Sequence, residues 1–225
     1  MYGTRAAARA LVRAVAAAPA AVAAASRAVR DDYFARRGDI EWRAGEIDAA
    51  RASYARVDGR DPETATADAV QVLRMQALLA LKDDDPVEAK AAMASALQRA
   101  AGQALRPGDV ERLAMTHAHV VLVVDGAAAA QAILEPVLAR FATMQGARHV
   151  RADHRSAHWL QAVIRSNLGE CAGAHRALAE GDAMLAGPPV SPIVQAEASW
   201  ARDAVGQRCP TAHPSAVDVQ KSVQP

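Results

Sequence analysis

Aromatic side chains are scarce in this chain. Two phenylalanines, three tyrosines and three tryptophans make up 4% of 225 residues. Strands use aromatic and β-branched residues to cover a pleated surface, and β-branched runs are also short here. A sheet-based fold is therefore excluded as the main architecture. No stretch approaches the 18 or more strongly apolar residues of a transmembrane helix, so no integral membrane span is expected. Charge of one sign is lacking too: 26 basic against 25 acidic residues leave a net +1. That removes the global electrostatic case for nucleic acid. There is no Gly-rich phosphate loop and no nucleophile elbow. Asp83-Asp84-Asp85 lacks the ligand spacing of a calcium loop and reads as an N-cap cluster ahead of Pro86. No catalytic residue, cofactor or metal is assigned.

What fills the chain instead is alanine, the best helix former, which loses no side-chain entropy and buries no polar group. Between Asp31 and Arg208 the pattern is helix, short break, helix. Breaks fall at Gly45, Gly59 to Pro62, Asp83 to Pro86, Gly102 to Gly108, Asp125-Gly126, near Gly146, at Gly169 and at Gly187 to Pro192. Glycine tolerates positive φ and proline lacks an N–H, so both punctuate helices. This gives three regions. Residues 1–30 hold five arginines and no acid around the alanine-rich run Ala14 to Ala25. They fit either a solvated leading helix or a signal-like segment ending in Ala23-Ala24-Ala25. Residues 31–208 form the helical domain. Residues 209–225, with three prolines and little periodicity, read as a disordered tail.

The clearest internal unit spans residues 31–62. Phe34, Gly38, Gly45, Ala50, Tyr54, Val57 and Pro62 fall where a helix pair needs bulky, small and turn residues. This unit resembles a tetratricopeptide (TPR) repeat. Weaker units follow. The small residue of the first helix recurs as Gly38, Ala77, Ala118 and Ala162. That of the second helix recurs as Ala50, Ala89, Ala130 and Ala174, and the bulky residue after it as Tyr54, Met93, Leu134 and Leu178. The spacing is roughly 40 residues rather than the family's 34. The resemblance implies an all-α, right-handed superhelix of about four antiparallel helix pairs. A final helix, about Ile193 to Arg208, is expected to cap the array with Ile193, Ala196, Trp200 and Val205 as its apolar side.

In that family the first helix of each pair lines a concave groove that holds a protein or peptide. Carried over, the groove residues are Gln71, Arg74, Leu78, Lys82, Arg112, Met115, His119, Ser156, Trp159, Val163 and Asn167. A second reading places Met115 and Trp159 between helices. Asp39 stands where the carboxylate-clamp subtype needs an amide, which argues against that subtype. The resemblance thus implies a non-enzymatic protein-binding scaffold. Two alternatives stand beside it: a sensor or regulatory region of a larger bacterial signalling protein, such as a kinase or transcriptional regulator, and a metal-binding protein using the His149–His158 cluster.

Within that cluster His154 and His158 are four apart and share a helix face with Asp153 beside them. Arg155 opposes a cation, and solvated or capping histidines are the alternative. Cys171 opens one predicted helix and Cys209 ends the next, so antiparallel packing brings both to one end. They are either bridged, in an oxidising compartment, or two thiols in the cytosol. Exported and cytoplasmic locations stay equally open.

Overall fold

The structure is a computed structural model and describes residues 26–106, 108–144, 148–185 and 191–210. Residues 1–25 and the tail 211–225 lie outside the described residues. Among the described residues the chain is all-helical, with nine helices and no strand. These are α1 (Arg27–Ala44), α2 (Ile47–Tyr54), α3 (Thr66–Lys82), α4 (Pro86–Ala100), α5 (Asp109–Val124), α6 (Ala127–Thr143), α7 (Arg148–Asn167), α8 (Cys171–Ala183) and α9 (Pro192–Arg208). Helix α1 starts inside the segment 1–30, taking in Arg27 to Arg30.

Local chemistry sets the ends of these helices. Gly45 stops α1 in the left-handed region at φ 78°, where an L side chain would be strained, and its N–H bonds the Trp42 carbonyl. In the acidic cluster before Pro86, Asp85 is the residue that caps α4. Its carboxylate accepts from the Glu88 N–H at 3.0 Å, and Pro86 occupies the first turn, where no donor is needed.

Consecutive helices pack as hairpins, α1 with α2, α3 with α4, α5 with α6 and α7 with α8. Small residues let the backbones approach. A methyl group at Gly38 would sit 2.5 Å from Cε1 of Tyr54, so this glycine makes room for the tyrosine ring. Gly181 plays the same part for the Trp159 ring, with only 2.5 Å to spare for a Cβ. In the middle hairpins alanine suffices, and Ala77, Ala89, Ala118 and Ala130 are fully buried. Polar links brace the crossings. Tyr54 Oη donates to Asp39 at 2.7 Å, and Arg140 Nε to Glu111 at 2.9 Å. Glu41, fully buried, accepts from Arg37 at 2.7 Å and from the Ser53 hydroxyl.

The apolar interior is a series of clusters rather than one centre. One joins α1, α2 and α3 around Tyr54 and Val72. The next joins α3, α4 and α5 around Leu73 and Met93, and the next α5, α6 and α7 around Leu134 and Phe141. Each cluster is shared between one hairpin and the first helix of the next. At the C-terminal end α9 covers α7 and α8, burying Ala198, Ala201 and Val205. It also reaches back to α1, where Pro192 packs against Gly45.

Candidate interaction face

The first helices α1, α3, α5 and α7 touch their successors along one side of the stacked hairpins. The residues assigned to the groove fall on these helices, and their surroundings differ along the array. Gln71 donates to Asp39 at 2.7 Å. Arg74 is only 8% exposed; its guanidinium donates to the side-chain Oε1 of Gln71 at 3.2 Å and to the Thr116 hydroxyl at 3.3 Å. Burial, and then the Arg112 guanidinium nearby, lowers its pKa from the ordinary arginine range. Arg112 is held by Asp153 at 2.7 Å and by Asp109 at 2.9 Å. Leu78 and Met115 are half-buried in the clusters between hairpins, whereas Lys82 is exposed.

The later positions do not line an open groove, because α9 lies on them. Trp159, 1% exposed, and Val163 are buried against Ala198 and Ala201 of α9, with Leu122 of α5 at the edge. Trp159 Nε1 donates to Asp182 at 3.1 Å, and the Arg155 guanidinium lies 5.2 Å from its ring centroid. Ser156 Oγ donates to Glu197 of α9 at 2.9 Å. The rings of His119 and Trp200 meet at a centroid distance of 5.0 Å. Desolvation pulls the His119 pKa down to about 4. It also raises that of Glu197, with Ser156 and Arg155 acting the other way. Asn167 is exposed and turned back onto its own helix, donating to the Val163 carbonyl at 2.8 Å.

Helix α9 corrects the sequence reading in one respect. Its inward stripe is the half-buried Val194 and the buried Ala198, Ala201 and Val205, spaced four, three and four apart; Ala196 is exposed and Trp200 is 39% exposed. Size misleads here. Where helices approach closely, alanine is the residue that fits, and the tryptophan is left at the rim. The 3.6-residue period of these small residues was the signal in the sequence. Nothing in the sequence marks Glu197 as half-buried against Ser156.

Of the histidine cluster, the His149 side chain lies outside the described residues. The His154 and His158 Nε2 atoms are 3.1 Å apart, and Phe141 stacks on His154. His158 Nδ1 is 3.1 Å from Glu180. Burial first, for both rings, lowers their pKa values and favours neutral imidazoles. Among the described residues no group of three His, Cys, Asp or Glu side chains is placed to hold a metal ion.

Cys171 and Cys209 are joined, with Sγ atoms at 2.04 Å and Cα atoms at 5.2 Å. The bond pins the C-terminal end of α9 to the start of α8. His175 Nε2–H adds a bond to the Cys209 carbonyl at 2.9 Å. No helix among the described residues is long and apolar enough to cross a membrane. No family model matches the chain, and no curated protein or solved structure matches it either.

Proposed function

We propose that the chain is a TPR-like α-solenoid, a right-handed superhelix of about four helix pairs, and that it serves as a non-enzymatic scaffold for another protein. One observation carries this reading. Four hairpins repeat the same contact scheme, and the face built by their first helices receives a helix, α9. The small-against-bulky crossings of Gly38 with Tyr54 and of Gly181 with Trp159 support the repeat assignment. Fold alone does not fix function, so the partner must be found on the exposed side chains of this face. Lys82, Val123 (52% exposed) and Asn167 on the first helices, and Trp200 on α9, are accessible there. Tryptophan is a favoured anchor at protein interfaces. The Cys171–Cys209 bond supports an oxidising compartment, where such bonds persist.

The test is affinity capture from the source cell by the chain, oxidised and reduced, and by a Lys82→Glu, Trp200→Ala variant. Arg74 and Trp159 are poor choices for such a variant, because both are buried. A protein retained by the wild type and lost by the variant, with unchanged melting, supports the reading. Failure of both the oxidised and the reduced chain to retain any protein specifically counts against it.

A further inference from the structure

The inner face is already occupied, and its occupant describes what it accepts. The side chains α9 inserts are small: Ala198 and Ala201 meet Trp159 and Val163, and Val205 meets Ala174 and Ala177. Between these apolar contacts lies one polar position. Ser156 Oγ donates to the Glu197 carboxylate at 2.9 Å, with Arg74 and Arg155 acting on it as cations and Asp153 as an opposing anion. One turn further along α9, the Trp200 ring rests on His119 at the rim. The face therefore reads an acid, a small residue directly after it, an aromatic three residues on and a small residue four residues on. Glu197, Ala198, Trp200 and Ala201 meet that description.

From this we infer that α9 is a built-in ligand, and that the partner of this face is an amphipathic α-helix carrying the same acid–small–aromatic–small pattern, which takes the place of α9. The inference rests on the scaffold reading above. Helix-in-groove recognition works through side chains at such spacings, and here the specificity lies in the single carboxylate. No large apolar side chain anchors the buried stripe of α9. Its hold comes from small contacts, from Ser156, from the exposed Arg202 guanidinium donating to Asp182 of α8 at 2.9 and 3.1 Å, and from the covalent bond at Cys209. The disulfide therefore sets access. A dithiol reductant converts the bond to two thiols and is itself oxidised to a cyclic disulfide. The C-terminal end of α9 is then no longer tied to α8, and the face opens to a competing helix.

Two measurements on the full chain test this. The first is amide hydrogen exchange of the wild type with and without a dithiol. Exchange within α9 should quicken at least about tenfold on reduction while α3 to α6 stay unchanged. If α9 exchanges as slowly as α7 after reduction, the inference falls. The second is fluorescence anisotropy with a labelled peptide of residues 191–208. The chain is Ala201→Glu, reduced, in which the introduced carboxylate expels α9. Saturable binding, weakened about tenfold or more by Glu197→Ala in the peptide, is the expected result. Binding no stronger than to the oxidised wild type overturns the proposal. Should the variant lose its helical circular dichroism, the wild-type exchange result decides alone. The outcomes separate the two readings. A cellular partner captured equally by oxidised and reduced chain sinks the built-in ligand and spares the scaffold. Capture of nothing in either state sinks the scaffold.

Discussion

Removing the Cys171–Cys209 bond is the perturbation whose size can be worked out most directly. The cysteines are 38 residues apart, and closing a loop of that length removes conformational entropy from the unfolded chain worth about 4 kcal/mol. No buried ionic group is lost with it, so the entropic figure stands as the expected effect. With a urea m-value of about 2 kcal/mol/M, the unfolding midpoint should fall by about 2 M in a Cys171→Ala, Cys209→Ala chain. The loss should not be spread evenly. The clusters follow one another along the array, and α9 contributes Ala198, Ala201 and Val205 to the last two only. Release of α9 should therefore precede unfolding of α3 to α6, which contain the well-packed Leu73, Met93 and Leu134. The assay is urea unfolding followed by circular dichroism and, separately, by tryptophan fluorescence, since Trp159 and Trp200 both sit at the α9 contact. The fluorescence transition should come first in the variant and coincide with the other in the bridged chain. A midpoint shift below about 0.5 M, or coincident transitions in the variant, would refute the reasoning.

Three further outcomes follow from particular contacts. Gly38→Ala relieves backbone entropy in a helix but places a methyl group 2.5 Å from the Tyr54 ring, so a net loss of about 1–2 kcal/mol is expected in thermal unfolding, partly recovered by adding Tyr54→Leu. Glu41→Ala strips a fully buried carboxylate from Arg37 and Ser53 and should cost about 2–3 kcal/mol, read from the same denaturation curves. His119 favours its neutral form in the fold, with a pKa of about 4 against 6.5. Its stabilising share is complete above pH 6.5 and is lost as pH falls towards 4, by at most about 3 kcal/mol. Differential scanning calorimetry of wild type and His119→Leu should show a smaller decline in the variant across that window; equal declines would show that His119 does not carry the effect.

Much of the helical layout was legible in the chain because its punctuation is local. Gly45, Asp85-Pro86, Asp125-Gly126 and Gly169 each stop or start a helix for backbone reasons that a few residues contain. The crossing residues were legible as well, since Gly38 and Tyr54 belong to one hairpin. The fate of the proposed groove was not. Trp159 and Val163 have the composition of an interface and also of a core, and only the position of α9 decides between them. The outward positions of Ala196 and Trp200 on α9 have the same cause, while Val205 is buried as expected. Burial there follows how closely two helices approach, and a large Trp200 is excluded where Ala198 and Ala201 fit.

By itself, then, the sequence determined an all-α chain of successive helices with short breaks, because propensity and capping act within a few residues. It also brought the two cysteines to the ends of neighbouring helices. Only the tertiary structure decided that α9 folds back over α7 towards α1, setting the half-buried Glu197 beside Ser156 and covering the later half of the face. That placement depends on contacts between helices far apart in the chain, and such contacts leave no local mark on the residues that make them.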